Sequence, residues 1–93
     1  MDTKAAYQKK MEAQVEEWNA KIDELKARAK KAEAEKQADA YRKIDHLVAK
    51  RNELQAQMKE LEEAGEGALE GLKDGINEAA EKLKEAFDDI TFR

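Results

Sequence analysis

The apolar side chains of this chain recur at alternating intervals of four and three residues, the spacing of helices that pack lengthwise against other helices. We call the first row the N-terminal stripe; it consists of Met11, Val15, Trp18, Ile22, Leu25, Ala29 and Ala32. The second row, the middle stripe, consists of Ala40, Ile44, Leu47, Arg51, Leu54, Met58 and Leu61. It is displaced by one residue from the phase of the first. Two successive rows of this kind predict an all-α protein.

Nothing between residues 3 and 64 is expected to interrupt a helix. The chain has no proline, and its apolar residues are mostly alanine and leucine, which favour helix. The phase change falls in residues 31–40, a charged, alanine-rich stretch without a helix breaker. We therefore predict one continuous helix over residues 3–64, with a local change of winding at the phase change. At about 1.5 Å per residue, such a helix is about 90 Å long.

Gly65 and Gly67 are predicted to form a hinge after the long helix. Glycine adopts the left-handed conformation that commonly ends a helix, so these residues predict a left-handed C-cap and a tight αα-hairpin. A second helix is expected over about residues 68–90. Gly71 and Gly75 lie one turn apart inside it, which indicates either a tolerated weakness or close approach of another helix. The amphipathic face of this helix consists of Leu69, Leu72, Ile76, Leu83, Phe87 and Ile90.

A second copy of the chain is predicted to complete the core. The second helix, folded back from the hinge, reaches about as far as Ala40 and leaves the N-terminal stripe bare. An antiparallel pairing in which Ala29 faces Ala32 of the partner subunit brings apolar side chains together throughout. The expected architecture is a coiled-coil homodimer of αα-hairpins with a three-helix bundle at each end, and residues 1–93 form one domain. The predicted dimer interface consists of Met11, Val15, Trp18, Ile22, Leu25, Ala29, Ala32, Ala40, Ile44 and Leu47.

The charge of the chain is unevenly distributed. Residues 2–64 carry 14 basic and 14 acidic side chains, whereas residues 65–93 carry 4 basic and 8 acidic ones. The acidic second helix argues against nucleic acid and anionic membranes as partners. The one basic run, KARAKK, contains alanines rather than the aromatic residues that stack on bases.

Because the chain lacks an apolar secretory segment and a membrane-spanning run, we expect a cytoplasmic protein.

No group of residues predicts catalysis, a metal site or a cofactor. The chain has no cysteine, and His46 is its only histidine. Lys43, three residues before that histidine, breaks the Glu-x-x-His pattern of metal sites in helical bundles. The carboxylates lie among lysines on polar helix faces, and the glycines lack the spacing of a phosphate loop. Arg51 occupies a core-like position and is expected to extend to solvent or to meet a carboxylate. We predict that the protein is not an enzyme.

Two functions are compatible with these features. The first is a structural or protein-interaction module that acts as a helical dimer, with an additional protein partner that the sequence does not identify. The alternative is an amphipathic lipid-binding or client-binding protein that uses residues 68–92, whose apolar face resembles the helices of exchangeable apolipoproteins.

The conjunction of QVEEWNAKIDELKA, the glycine hinge and the LKEAF ending resembles a family of small bacterial coiled-coil proteins, some of which carry a stress-response label. The resemblance covers nearly the whole chain. It implies a small, soluble protein of unestablished mechanism, for which a stress-related role is one expectation, and provides no catalytic residue to transfer. Family members often place an aromatic residue just after the hinge, whereas this chain has Ala68 and Leu69 there.

Overall fold

The computed structural model describes residues 3–90, apart from the side chain of Glu66, and every element in that range is helical. The elements are α1 (Thr3–Lys31), α2 (Ala34–Glu63), a single 3-10 turn (Glu66–Ala68) and α3 (Leu69–Asp88). The predicted all-α class is confirmed for the described part of the chain. Residues 1–2 and 91–93 of the predicted domain, and with them the end of the predicted binding segment 68–92, lie outside the described residues.

The predicted continuous helix over residues 3–64 is wrong, because the chain leaves the helical conformation at Ala32 and Glu33 and reverses. A break of two residues sacrifices few helical hydrogen bonds, whereas the reversal buries the N-terminal stripe within the chain's own core. The displacement between the two stripes therefore marks the boundary between two helices. The bundle measures 50 × 19 × 18 Å, so a rod of about 90 Å is also wrong for a single chain.

Three hydrogen bonds, made by the side chains of Lys4 and Arg51, establish that α1 and α2 run antiparallel. The Nζ of Lys4 donates hydrogen bonds to the carbonyl oxygens of Glu62, at 3.3 Å, and Ala64, at 2.6 Å. The Nη1 of Arg51 donates to the Oδ1 of Asn19 at 3.0 Å. A lysine at the end of a helix bonds otherwise unpaired carbonyl groups and interacts favourably with the helix dipole. The start of α1 thus holds the end of α2.

The second turn begins one residue before the predicted hinge, and its conformation differs from the predicted one. α2 ends at Glu63, and Ala64 (φ −83°, ψ 161°) and Gly65 (φ −69°, ψ 166°) are extended. No glycine among the described residues has a positive φ, so the predicted left-handed C-cap is wrong. Two extended residues and one 3-10 turn are sufficient to reverse the chain. α3 starts one residue later and ends two residues earlier than the predicted second helix.

One continuous apolar core runs along the bundle and is shared by all three helices. α3 packs chiefly on α2 and more loosely on α1. Complete burial of a large aliphatic side chain contributes about 1.5–3 kcal/mol, so this core dominates the stability of the fold. No polar or charged residue among those described is buried. The core consists of Met11, Val15, Trp18, Ile22, Ala29, Ala40, Ile44, Leu47, Leu54, Leu61, Leu69, Ile76 and Leu83.

Arg51, the charged member of the middle stripe, meets amides rather than the carboxylate allowed for by the sequence. Its Nη1 donates to Asn19, and its Nη2 donates to the Oδ1 of Asn52 at 3.0 Å. Its Nε is buried and has no hydrogen-bond partner among the described residues. The guanidinium therefore reaches the edge of the core with one donor unsatisfied, which makes its amide partners important for stability.

Candidate functional site

The ten residues predicted to form a dimer interface lie within the bundle of a single chain. Eight of them are buried in the core, and Leu25 and Ala32 are half-buried. The exposed N-terminal stripe that motivated the predicted dimer is therefore absent from the closed bundle. The candidate functional surface is instead the contact between α3 and the antiparallel pair formed by α1 and α2, which we call the α1–α2 hairpin. We call this contact the α3 seam.

The apolar side of the α3 seam is the amphipathic face predicted from the sequence. Leu69, Ile76 and Leu83 are buried in the core, with 6%, 1% and 0% of their surface exposed. The remaining three residues of the predicted face, Leu72, Phe87 and Ile90, are half-buried and pack against the same core. The predicted face is thus the face that docks.

An aromatic contact joins α3 to α1 near the end of α3. The rings of Trp18 and Phe87 are stacked, with centroids 6.4 Å apart and planes inclined by 16°. The Nζ of Lys21 lies 5.9 Å from the centroid of Phe87. A groove of about 620 Å³ opens beside this pair and is lined partly by Met11 and Ala80. Periodicity placed Trp18 and Phe87 on apolar faces but carried no information on their pairing across 69 positions of chain.

A hydrogen bond joins the beginning of α1 to the first half of α3. The hydroxyl of Tyr7 donates to the Oδ1 of Asn77, and the Nζ of Lys73 lies 5.8 Å from the centroid of the tyrosine ring. Partial burial, and secondarily the charge of Asp74, raise the pKa of Tyr7 above its ordinary value of 10.0. Nothing in the apolar pattern of the sequence indicated this bond.

Ion pairs do not hold α3 in place within the described residues. The three pairs found there each join positions four residues apart on one helix, and all are exposed: Glu24–Arg28, Asp39–Lys43 and Glu78–Lys82. Exposed pairs of this type contribute about 0–1 kcal/mol each. Apolar burial and the Tyr7–Asn77 bond are therefore the main attachments of α3.

α3 is intrinsically a weak helix. A Cβ added at Gly71 or Gly75 meets no atom within 4 Å, and both glycines are exposed, so no other helix approaches them within the chain. The N-cap, Ala68, makes no side-chain capping bond. The last turn has no basic residue and contains Asp88, whose charge opposes the helix dipole. Packing against the hairpin must therefore compensate for poor helix propensity.

His46 is exposed on α2, where it lines a groove of about 550 Å³ between α2 and α3. The charges of that groove are mixed, since Arg42 and Lys50 face Glu85 and Asp89. The described residues contain no group of three histidine, aspartate or glutamate side chains that could hold a metal ion. They also contain no helix long and apolar enough to cross a membrane.

Comparison of the chain with protein-family models, with curated proteins and with solved structures finds no match.

Proposed function

We propose that this protein is a non-enzymatic interaction module in which α3 occupies the groove of the α1–α2 hairpin and gives way to an amphipathic helix of a partner protein. The observation that carries the proposal is the pair of exposed glycines, Gly71 and Gly75, in the interior of a docked helix. Each weakens α3 by about 1 kcal/mol relative to alanine, although a larger side chain would fit. A helix that serves only as a permanent core element gains nothing from this weakness.

Release of α3 is the lowest-energy partial opening of the bundle in this proposal. α1 and α2 have about 30 residues each, whereas α3 has 20 and contains both interior glycines. Segments with weak local structure open at lower free energy than the whole fold. Opening bares the apolar face of α3 and the hairpin side chains beneath it, including Trp18.

The chemistry of the seam selects the class of partner. The vacated groove is long, apolar and shaped for one helix, and an amphipathic helix docks in such a groove through residues spaced three and four apart. The surplus of acidic over basic residues in positions 65–93 disfavours an anionic membrane as the acceptor of α3. An amphipathic protein helix is therefore the expected ligand.

The test uses a fluorescently labelled peptide of residues 69–90 as the entering helix. The wild-type chain is expected to bind it, and Phe87→Ala, which loosens the native α3, is expected to bind it more tightly. The double variant Gly71→Ala/Gly75→Ala should hold α3 closed and weaken peptide binding roughly 30-fold. Gly67→Ala, at an exposed glycine outside α3, serves as the matched control and should leave binding unchanged.

The proposal fails if neither the wild-type chain nor Phe87→Ala binds the peptide, or if the double alanine variant binds it as well as wild type does. A scrambled peptide of the same composition controls for nonspecific apolar binding. Flotation with zwitterionic and anionic vesicles examines the lipid alternative, and recovery of the chain with zwitterionic vesicles alone would replace the protein partner by neutral lipid.

The dimeric structural module predicted from the sequence is retained as a second proposal, since the very short α1–α2 turn favours exchange of helices between copies. The stress-related role that the resemblance implies stays a prediction.

A further inference from the structure

We propose that the α1–α2 turn opens into a continuous helix and that two copies of the chain then exchange α1, forming an antiparallel domain-swapped dimer about 90 Å long. In this dimer, α1 of one copy packs on α2 and α3 of the other. This inference is independent of α3 release, because α3 stays docked on its own α2.

The backbone of the turn is close to a helix. Only Ala32 and Glu33 lie outside the two helices, and the φ of Glu33, −61°, already has the helical value. Its ψ, 148°, is the angle that departs from helix. Because only these two residues separate the helices, backbone rotations confined to them, including the ψ of Glu33, would convert the reversal into a straight helix.

The residues of the turn favour helix more than they favour a turn. The segment KKAEAEK, residues 30–36, contains none of the glycine, proline, asparagine, aspartate or serine that usually builds turns. Glu33, the N-cap of α2, makes no side-chain capping bond. Straightening the chain would supply helical partners to backbone groups left unpaired at the break. It would also bring Lys31 and Glu35, four residues apart, onto the same face of one helix.

One side chain clasps the closed turn. The Nε2 of Gln37 donates to the carbonyl oxygen of Lys30 at 3.1 Å, and this carbonyl is among those that the break deprives of a helical partner. In a continuous helix the backbone itself would satisfy that carbonyl group. The clasp is therefore specific to the closed form, and its removal should favour opening.

Exchange preserves the core, because each contact that α1 makes within one chain can form again between copies. The Trp18–Phe87 stack and the Tyr7–Asn77 bond are among these contacts. Formation of the swapped dimer costs association entropy and adds helical hydrogen bonds at the hinge. Because two chains combine, the dimer population rises with protein concentration. Short hinge loops are known to promote exchange of this kind.

Ala34→Pro separates the two forms. Ala34 is the first residue of α2, a position that accepts proline, and the extended Glu33 before it has the conformation that a residue preceding proline prefers. In a continuous helix, the same proline lies in the interior and breaks it. The variant should therefore keep the closed monomer intact while it raises the dimer dissociation constant at least about 1,000-fold.

The experiment is to refold the full chain at high concentration and to measure absolute mass and maximum dimension by size-exclusion chromatography with light scattering and small-angle scattering. The wild type should yield a dimer near 90 Å beside a monomer near 50 Å. Gln37→Ala should increase the dimer fraction, whereas Gln55→Ala, the same change at an exposed position of α2, should not. Circular dichroism and Trp18 emission establish that each variant folds.

The inference is overturned if the wild type remains monomeric after refolding, if its dimer is no longer than the monomer, or if Ala34→Pro dimerises as wild type does. An increase of dimer with Gln37→Ala and its loss with Ala34→Pro together support it. Because neither variant alters α3, failure here leaves the proposed function of the α3 seam standing.

Discussion

At the scale of single residues, Arg51 brings a charged group to the edge of the apolar core, and two amide oxygens accept hydrogen bonds from its guanidinium group. Asn19 accepts the hydrogen bond that crosses from α2 to α1, whereas Asn52 is an exposed neighbour on the same helix. Loss of the cross-helix partner leaves a second guanidinium donor unsatisfied beside the unpaired Nε. The two asparagines therefore differ in importance although their bond lengths are equal.

Asn19→Ala is expected to lower the free energy of unfolding by about 1–3 kcal/mol, because it removes the partner of a part-buried charged donor. Asn52→Ala should lower it by less than about 0.5 kcal/mol, since water can replace the exposed amide. Urea unfolding of the two variants and the wild type measures the difference. Equal losses would contradict a special role for the bond between α1 and α2.

Tyr7 links stability to alkaline pH. Burial first, and the charge of Asp74 second, raise its pKa in the folded chain above the ordinary value of 10.0. The folded state therefore holds this proton more tightly than the unfolded state does. The contribution is intact below pH 10 and is lost as the pH rises above 10 through the higher pKa of the folded chain.

Tyr7→Phe should therefore flatten part of the loss of stability seen above pH 10, while at neutral pH it should lower stability by about 0.5–1.5 kcal/mol by removing the bond to Asn77. Tyr41→Phe is the matched control, because Tyr41 is 37% exposed. Urea unfolding from pH 8 to pH 11 measures how the free energy of unfolding changes with pH. Because lysines titrate in the same range, the slope of each variant above pH 10 is compared with that of the other variant. Identical slopes for the two variants would refute the assignment to Tyr7.

At the scale of the helix, α3 combines a well-packed face with an open glycine face. Gly71→Ala and Gly75→Ala are each expected to raise the free energy of unfolding by about 1 kcal/mol, because the added methyl group meets no atom and restricts the unfolded chain. Hydrogen exchange at Leu72–Leu83 should slow in parallel if α3 opens separately from the rest of the bundle.

Gly67→Ala, which lies in the 3-10 turn, is the control for a general effect of glycine replacement and should not slow exchange in α3 selectively. Destabilisation by Gly71→Ala would instead mean that a second chain approaches the glycine face in solution. That outcome would restore the close-packing interpretation of the two glycines.

Much of the helical architecture could be predicted from apolar spacing, whereas the failures concern how the helices pack against one another. The helix over 69–88 was predicted to within two residues because a hinge and a single stripe define it. The reversal at Ala32 and Glu33 was not, because helix-forming residues occupy the turn and tertiary burial overrides their preference. The Trp18–Phe87 pairing depends on the register between elements, which periodicity does not encode.

At the scale of the whole molecule, the two apolar stripes are compatible with helix packing within one chain and with helix packing between chains. A stripe with a four-three spacing specifies that a helix must pack on other helices, but it does not specify whether they belong to the same chain. The closed bundle buries Ile22 and Ile44 to 1% exposure without any partner. The proposed swapped dimer requires the α1–α2 turn to open, and in that proposal the closed and swapped forms would compete by mass action.

The single tryptophan, Trp18, makes the release of α3 from the hairpin measurable. Trp18 is 4% exposed and stacked on Phe87, so its emission should shift to longer wavelength when α3 leaves the hairpin. Phe87→Ala is expected to produce part of this shift under native conditions and to accelerate hydrogen exchange in α3, while the amides of α1 and α2 retain their protection. Leu72→Ala removes a half-buried apolar side chain of the same helix that forms no stack with the tryptophan. It should lower stability without moving the native emission, whereas equal shifts in both variants would mean that the three helices open as one cooperative unit and that α3 has no separate release.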